Sequence, residues 1–282
     1  MCGRIVIVNV YLARHGAGDP VLLLLHGLGA TGEVWSGLVA SLADRWPGEV
    51  LVPDLPGHGR SAPLPRYSFG ALAAALADAL PAGRPVAVLG HSLGGVLGLT
   101  LASGWFGVDV TAVCGLGIKV RWSPEELAKA AELAARPAKV FGTREEAMER
   151  ALRVAGLAGL VPSLDSGVVP VVGSDVMSAV AATAASAAGL VAEPAAGLMP
   201  EGWRLSLDQA TFGVGAPDLA GLLAACRAPV VLAAGERDPM SPRSPLRELR
   251  PDAVELAGLG HNAHVEDPSA LWPLVDRLAN AQ

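Results

Sequence analysis

Ser92 lies within the run Val86-Ala87-Val88-Leu89-Gly90-His91-Ser92-Leu93-Gly94-Gly95, an apolar stretch that meets a serine with glycine two positions before it and two after. Gly-x-Ser-x-Gly is the pattern of a sharp strand-to-helix turn, where neighbouring backbone comes so close that side chains at the flanking positions would clash. Such a turn lifts the Ser92 hydroxyl above the end of a sheet and aims the Leu93 N–H at any oxyanion formed on a substrate. A serine hydroxyl is a poor nucleophile near neutral pH, so this chemistry needs a base to take its proton and a further group to hold the base. The pentapeptide alone fits a glycine-rich turn of no chemical importance equally well. Three other clusters give it weight, each placed where an apolar strand pattern ends.

The first is His26-Gly27-Leu28-Gly29-Ala30-Thr31-Gly32, directly after Val21 to Leu25. Gly27, Gly29 and Gly32 have the spacing of a dinucleotide fingerprint, and Asp54 lies far enough on to take a ribose hydroxyl. Against that reading, His26 separates the strand from the first glycine, and another strand precedes the unit. The same glycines would otherwise bring the Leu28 N–H to the mouth of a pocket as a second oxyanion donor. The second cluster, Ala233 to Met240, offers Glu236 and Asp238 as carboxylates able to orient a histidine; an N-cap or an ion pair with Arg237 is the structural role for the other. The third, Gly258 to Pro268, carries His261 in a glycine-containing loop suited to an imidazole that must reach a serine. His264 and Glu266 could complete a metal set with His261, but no further well-spaced cluster supports one, so neither a metal nor a cofactor is expected.

These residues need a scaffold that brings strand ends together. Strand patterns are expected at Ile5 to Ala13, Val21 to Leu25, Val50 to Pro53, Val86 to Leu89, Val108 to Cys114, Val230 to Ala233 and Ala253 to Leu256. Several are continuous apolar runs, as in parallel strands covered on both faces. Helical patterns lie between them near Glu33 to Arg45, Phe69 to Leu80, Leu93 to Gly104, Asp218 to Cys226 and Pro268 to Asn280. The alternation implies a doubly wound α/β fold, a mostly parallel sheet with an antiparallel pair at its N-terminal edge. It breaks between about Lys119 and Gly215. There, Ser123-Pro124-Glu125-Glu126 and Thr143-Arg144-Glu145-Glu146 resemble capping boxes, and a third helix is expected from Ser174 to Ala188. This segment is too apolar to remain disordered and reads as an inserted helical cap. The expected division is core at 1–117, cap at 118–215 and core again at 216–282.

With 282 residues, 51% hydrophobic and 17% charged, the chain can bury an active site. A net charge of -6 gives no electrostatic case for nucleic acid or an anionic membrane, so a small-molecule partner is expected. Cys2, Cys114 and Cys226 are an odd, widely spaced set that fits reduced thiols better than a disulfide framework. The start lacks a signal-peptide pattern, and the Ala-rich stretch from Ala179 to Ala192 is too short to span a bilayer. A cytoplasmic protein without stable membrane association is the expectation; oligomeric state is left open. His15 and His264 are expected to face solvent. Trp122, Trp203, Phe212 and Met240 are candidates to line an apolar pocket, although large apolar residues also serve simply as core. No basic cluster in the cap is evident that would grip a phosphate or polycarboxylate.

Taken in order, the strand-end clusters resemble the α/β-hydrolase superfamily over almost the whole length apart from the cap. His26-Gly27 follows one strand, Asp54-Leu55-Pro56-Gly57-His58-Gly59-Arg60-Ser61 follows the next, the Ser92 turn comes third, and acid and histidine loops close the chain. The resemblance implies a catalytic set of Ser92, Asp238 and His261, and it selects Asp238 over Glu236 because the family's carboxylate stands a few residues past the glycine ending its strand. It implies structural roles for His26, His58 and His91. The implied activity is hydrolysis of a small to medium, mostly apolar ester, lactone or thioester through an acyl-enzyme. Carbon-carbon hydrolases, cofactor-free haloperoxidases and acyltransferases share such a triad, and a ligand receptor on the same fold remains an alternative. Epoxide hydrolase and dehalogenase chemistry is disfavoured, since an aspartate stands at the Ser92 position in those relatives.

Overall fold

The computed structural model describes residues 9–42, 45–171 and 201–281. Among these, seven strands form one sheet in the order β1-β3-β2-β4-β5-β8-β9. They are β1 (Leu12–His15), β2 (Val21–Leu25), β3 (Val50–Pro53), β4 (Val86–His91), β5 (Val110–Leu116), β8 (Val230–Gly235) and β9 (Val254–Leu256). β1 runs antiparallel to β3, with Leu12 opposite Pro53, and every other pairing is parallel. Every residue of β2, β3 and β4 is buried, which is why these strands read as continuous apolar runs.

Alternate strand residues feed two cores. On one face Leu22, Leu24, Val52 and Leu89 pack with Trp35, Leu38, Leu274 and Leu278 from α1 (Ser36–Ser41), the turn before it, and the last helix. On the other, Val21, Leu23, Leu51 and Val88 pack with α2 (Phe69–Ala79), α3 (Leu93–Ala102) and α6 (Leu219–Ala225). α3 is buried along its whole length because it runs under the centre of the sheet.

Between β5 and α6 lie α4 (Pro124–Ala135) and α5 (Arg144–Val154). α4 begins with the expected capping box, Ser123 and Glu126 each accepting from the other's N–H. At α5 the box is displaced by one residue: Thr143 caps the Glu146 N–H, while the Glu146 carboxylate accepts from Gly142. A two-stranded antiparallel sheet, β6 (Val168–Val171) with β7 (Gly202–Leu205), also lies between β5 and α6, so this segment is not only helical. Pro170 inside β6 and the distance along the chain to β7 hid this pairing from a reading based on local pattern. The expected helix from Ser174 to Ala188, the Ala179 to Ala192 stretch and Cys2 lie outside the described residues.

Other differences are local. The strand expected from Val108 begins at Val110 and runs on to Leu116. The first helix opens as a 3-10 turn at Gly32–Trp35 before α1. α7 (Arg243–Leu249), unforeseen in sequence, starts after Pro242 and carries Pro245 in its first turn, where a missing N–H costs nothing. A one-turn α8 (Ala263–Glu266) precedes α9 (Trp272–Ala279). Cys114 and Cys226 are free thiols, and burial pushes Cys114 up to about 12. No helix among the described residues is long and apolar enough to cross a membrane.

Candidate active site

Ser92 follows β4, and the ends of β2 and β5 lie against its turn. Its φ of 50° makes it the one non-glycine residue with positive φ among the described residues, a backbone strain that persists only where surrounding structure holds it. The hold is visible on both sides. The Ser92 N–H donates to the Leu116 carbonyl at 2.8 Å. A Cβ on Gly90 would meet the backbone of Gly94 and sit 2.6 Å from the Gly95 nitrogen, while one on Gly94 would meet the Leu25 carbonyl. Leu93 is the first residue of α3, so its N–H is one of the free donors of that helix N-terminus.

Asp238 follows β8 and is buried; its Oδ1 accepts from the N–H groups of Met240 at 2.8 Å and Ser241 at 3.3 Å. His261 Nδ1 donates toward its carboxylate, 3.0 Å from either oxygen. Glu236 points outward instead and accepts from the Gly258 N–H at 2.7 Å. This separates the two acids that local sequence left open: one faces the histidine, the other ties its loop.

The remaining histidines pack around this group. His26 Nδ1 donates to the Gly27 carbonyl at 2.8 Å and Nε2 accepts from the Leu55 N–H at 2.8 Å, which links the Leu28 loop to the loop after β3. Burial lowers its pKa. His91 Nε2 donates to the His261 carbonyl at 2.9 Å, and burial, then the neighbouring His264 and His261, keep its pKa well below the ordinary value. His264 is only 1% exposed, contrary to the solvent-facing expectation. The turn of α8 folds its ring back between Trp35 and His91, with centroids 4.5 and 4.3 Å away. His15 is exposed as expected.

Asp54, the residue a dinucleotide reading requires for ribose, is occupied internally. Its Oδ1 accepts from the Gly32 N–H at 2.8 Å and its Oδ2 from the Arg60 N–H and Nε at 2.9 and 2.7 Å. Burial acts to raise its pKa, but the Arg60 contacts, His26 and the Gly32 N–H together outweigh it, so the net shift is downward.

Ser92 and His261 face a cavity of about 250 Å³ also lined by Leu28 and Leu93. Trp122 and Met240 also line it. Trp203 and Phe212 do not: Trp203 pairs through its backbone with Phe141 and Pro170, and both side chains pack against the core. Local sequence could not separate these four, since each is a large apolar residue whose partners are distant in the chain. The structure adds Phe69, Val154 and Pro217 to the apolar wall, and it brings Lys119 and Arg153 to the same cavity. These two lie too far apart along the chain to be read together from the sequence. Asn262, also unforeseen, donates from Nδ2 to the Gly156 carbonyl at 3.0 Å and so ties the end of α5 to the residue next to His261.

A sheet of this topology, with a strained serine after its central strand and a histidine–carboxylate pair after later strands, defines the α/β-hydrolase class. The family model for the alpha/beta hydrolase family matches residues 22–273, and the chain belongs to that family. Among curated relatives, the magnesium-chelatase 30 kDa subunit of Rhodobacter capsulatus is 46% identical over 105 residues, 35% of this chain and 36% of that protein. A pimeloyl-[acyl-carrier protein] methyl ester esterase of Methylococcus capsulatus is 37% identical over 110 residues, 38% of this chain and 41% of that one. The matched stretch therefore spans well under half the length of either relative. Among solved structures, the thioesterase domain from the curacin biosynthetic pathway superposes with a TM-score of 0.67 at 20% identity, covering 95% of both chains, a likeness of fold.

Proposed function

We propose that the protein is a serine hydrolase acting on a small to medium ester, lactone or thioester through an acyl-enzyme. The observation that carries this reading is the His261–Asp238 contact at 3.0 Å beside a cavity that Ser92 shares with His261. In the proposed mechanism His261 Nε2 takes the Ser92 proton as Oγ attacks the carbonyl, then delivers it to the leaving group. Asp238 fixes the tautomer with the proton on Nδ1. The N–H groups of Leu28 and Leu93 stabilise the tetrahedral oxyanion; losing one such donor typically costs about 3 to 4 kcal/mol. Water, activated by the same imidazole, releases the acid. No step calls for a metal or an organic cofactor.

Residues 118–215 serve in this reading as the cap, because Trp122, Arg153 to Gly156 and Val214 close the cavity from above the sheet. Esterase chemistry is also what the name of the Methylococcus capsulatus relative describes, and the two chains share a stretch of 110 residues. The test is Ser92→Ala. It is expected to abolish hydrolysis of p-nitrophenyl butyrate and labelling by a fluorophosphonate probe while leaving thermal stability near that of the parent. Retention of most of the turnover would overturn the mechanism, and labelling without turnover of any ester would favour a receptor.

A further inference from the structure

We infer that the substrate carries an anionic group, a carboxylate or a phosphate, held beside the Ser92 cavity by Arg153 and Lys119. The inference rests on the serine hydrolase reading of that cavity and names its substrate class. Among the described residues lining the cavity, Lys119 and Arg153 are the ones with a fixed charge, and no described Asp or Glu lines it with them. Two cations here run against the chain's net charge of -6. They also stand beside a wall that is otherwise mainly apolar.

Neither cation is fully committed within the protein. Arg153 meets Glu149 at 3.4 Å, one helical turn away, with side chains 56% and 71% exposed. Exposed pairs of this kind contribute little. Lys119 pairs with Glu126, but that carboxylate also closes the cap of α4 through the Ser123 N–H at 2.9 Å. The Lys119 ammonium lies 4.6 Å from the Trp122 ring centroid, so it is held against the pocket wall, with donors to spare beyond the one Glu126 takes.

The backbone carrying Arg153 is fixed relative to the reacting groups. Arg153 is in the last turn of α5. The next residue, Val154, fills the space where a side chain on Gly29 would lie, against the Leu28 loop. Gly156 is tied by Asn262 to the His261 loop. A guanidinium on an anchored helix end can take a carboxylate or phosphate with two parallel hydrogen bonds, while an ammonium lining the same cavity adds a point charge. The anion can belong to the acyl half, as in a half-ester of a dicarboxylic acid, or to the leaving group, as in a phosphorylated thiol.

Matched substrate pairs separate these sources: p-nitrophenyl hydrogen adipate against p-nitrophenyl hexanoate, and hexanoyl-4′-phosphopantetheine against hexanoyl-pantetheine. In at least one pair the anionic member is expected to have a kcat/KM about tenfold higher, the size of one charge-assisted contact, and to lose that advantage as salt is raised. Arg153→Ala and Lys119→Ala should each lower the anionic-to-neutral ratio several-fold, Arg153→Lys should retain most of it, and Arg153→Glu should invert it. Arg153 is exposed, so its variants are expected to fold, which Tm and fluorophosphonate labelling of Ser92 check. A ratio near one in both pairs, or a ratio indifferent to Arg153→Glu, overturns the inference alone, provided the neutral esters are turned over and Ser92 is labelled. Absence of both labelling and ester turnover in the parent protein overturns the hydrolase reading and this inference with it.

Discussion

Mild acid should destabilise this protein more steeply than carboxylate chemistry alone explains. His26, His58, His91 and His264 are all buried, and burial is the largest cause of a lowered pKa at each. For His58 and His264 the value falls to about 3 from 6.5. In the unfolded chain each imidazole binds a proton near 6.5; in the folded protein it stays neutral until far lower pH. The unfolded state therefore holds more protons throughout that interval, so stability rises with pH. The contribution is complete above the unfolded value and is lost as pH falls from 6.5 toward about 3. At about pH 5 each such group has cost about 2 kcal/mol, and His58 and His264 together about 4 kcal/mol. His26 and His91 act in the same direction. Since whole domains are stable by roughly 5 to 15 kcal/mol, this is a large share. Urea unfolding at a series of pH values is the assay. The midpoint should fall by about 1 M or more between about pH 7 and pH 5. His264→Phe, which keeps a ring between Trp35 and His91, should reduce the pH slope by about one proton. A midpoint unchanged over that range, or a slope that His264→Phe leaves intact, would refute the reasoning.

The same geometry carries three further expectations. Gly90→Ala puts a Cβ 2.6 Å from the Gly95 nitrogen and closer still to Gly94, with only backbone to yield. It should destabilise by about 3 kcal/mol or more, the upper end of overpacking, and slow fluorophosphonate labelling of Ser92; an unchanged Tm with normal labelling would contradict the close turn. Asp238→Asn should lower kcat about 10³- to 10⁴-fold while leaving Tm nearly constant, because an amide favours the wrong imidazole tautomer; a loss below tenfold would assign the role elsewhere. Trp122→Ala should shift acyl-chain preference, whereas Trp203→Ala should cost about 2 kcal/mol of stability without changing that preference, a contrast read by pairing Tm with an ester-length series.

Much of the scaffold was legible because its signals are local. Buried parallel strands are apolar on both faces, so Val21 to Leu25 and Val86 to Leu89 stand out without reference to neighbours. The glycines around Ser92 mark a turn that only they can make. Ser123 and Glu126 announce α4 because a helix start is written within one turn of chain. What escaped depends on partners far along the chain: the β6–β7 pairing, the burial of His264, and the α7 helix that begins behind a proline. Local pattern carries no term for any of these.

The amino-acid sequence by itself determined the class of fold and the order in which serine, acid and histidine loops follow the strands, since both are consequences of periodicity and of residues that force particular backbone turns. The resemblance carried by the sequence already favoured Asp238 over Glu236, but only the tertiary structure decided that Trp122 and not Trp203 meets the cavity, and that Lys119 and Arg153 share it. Those outcomes rest on distances between residues tens to hundreds of positions apart, and separation along a chain says nothing of separation in space until the sheet has closed the distance.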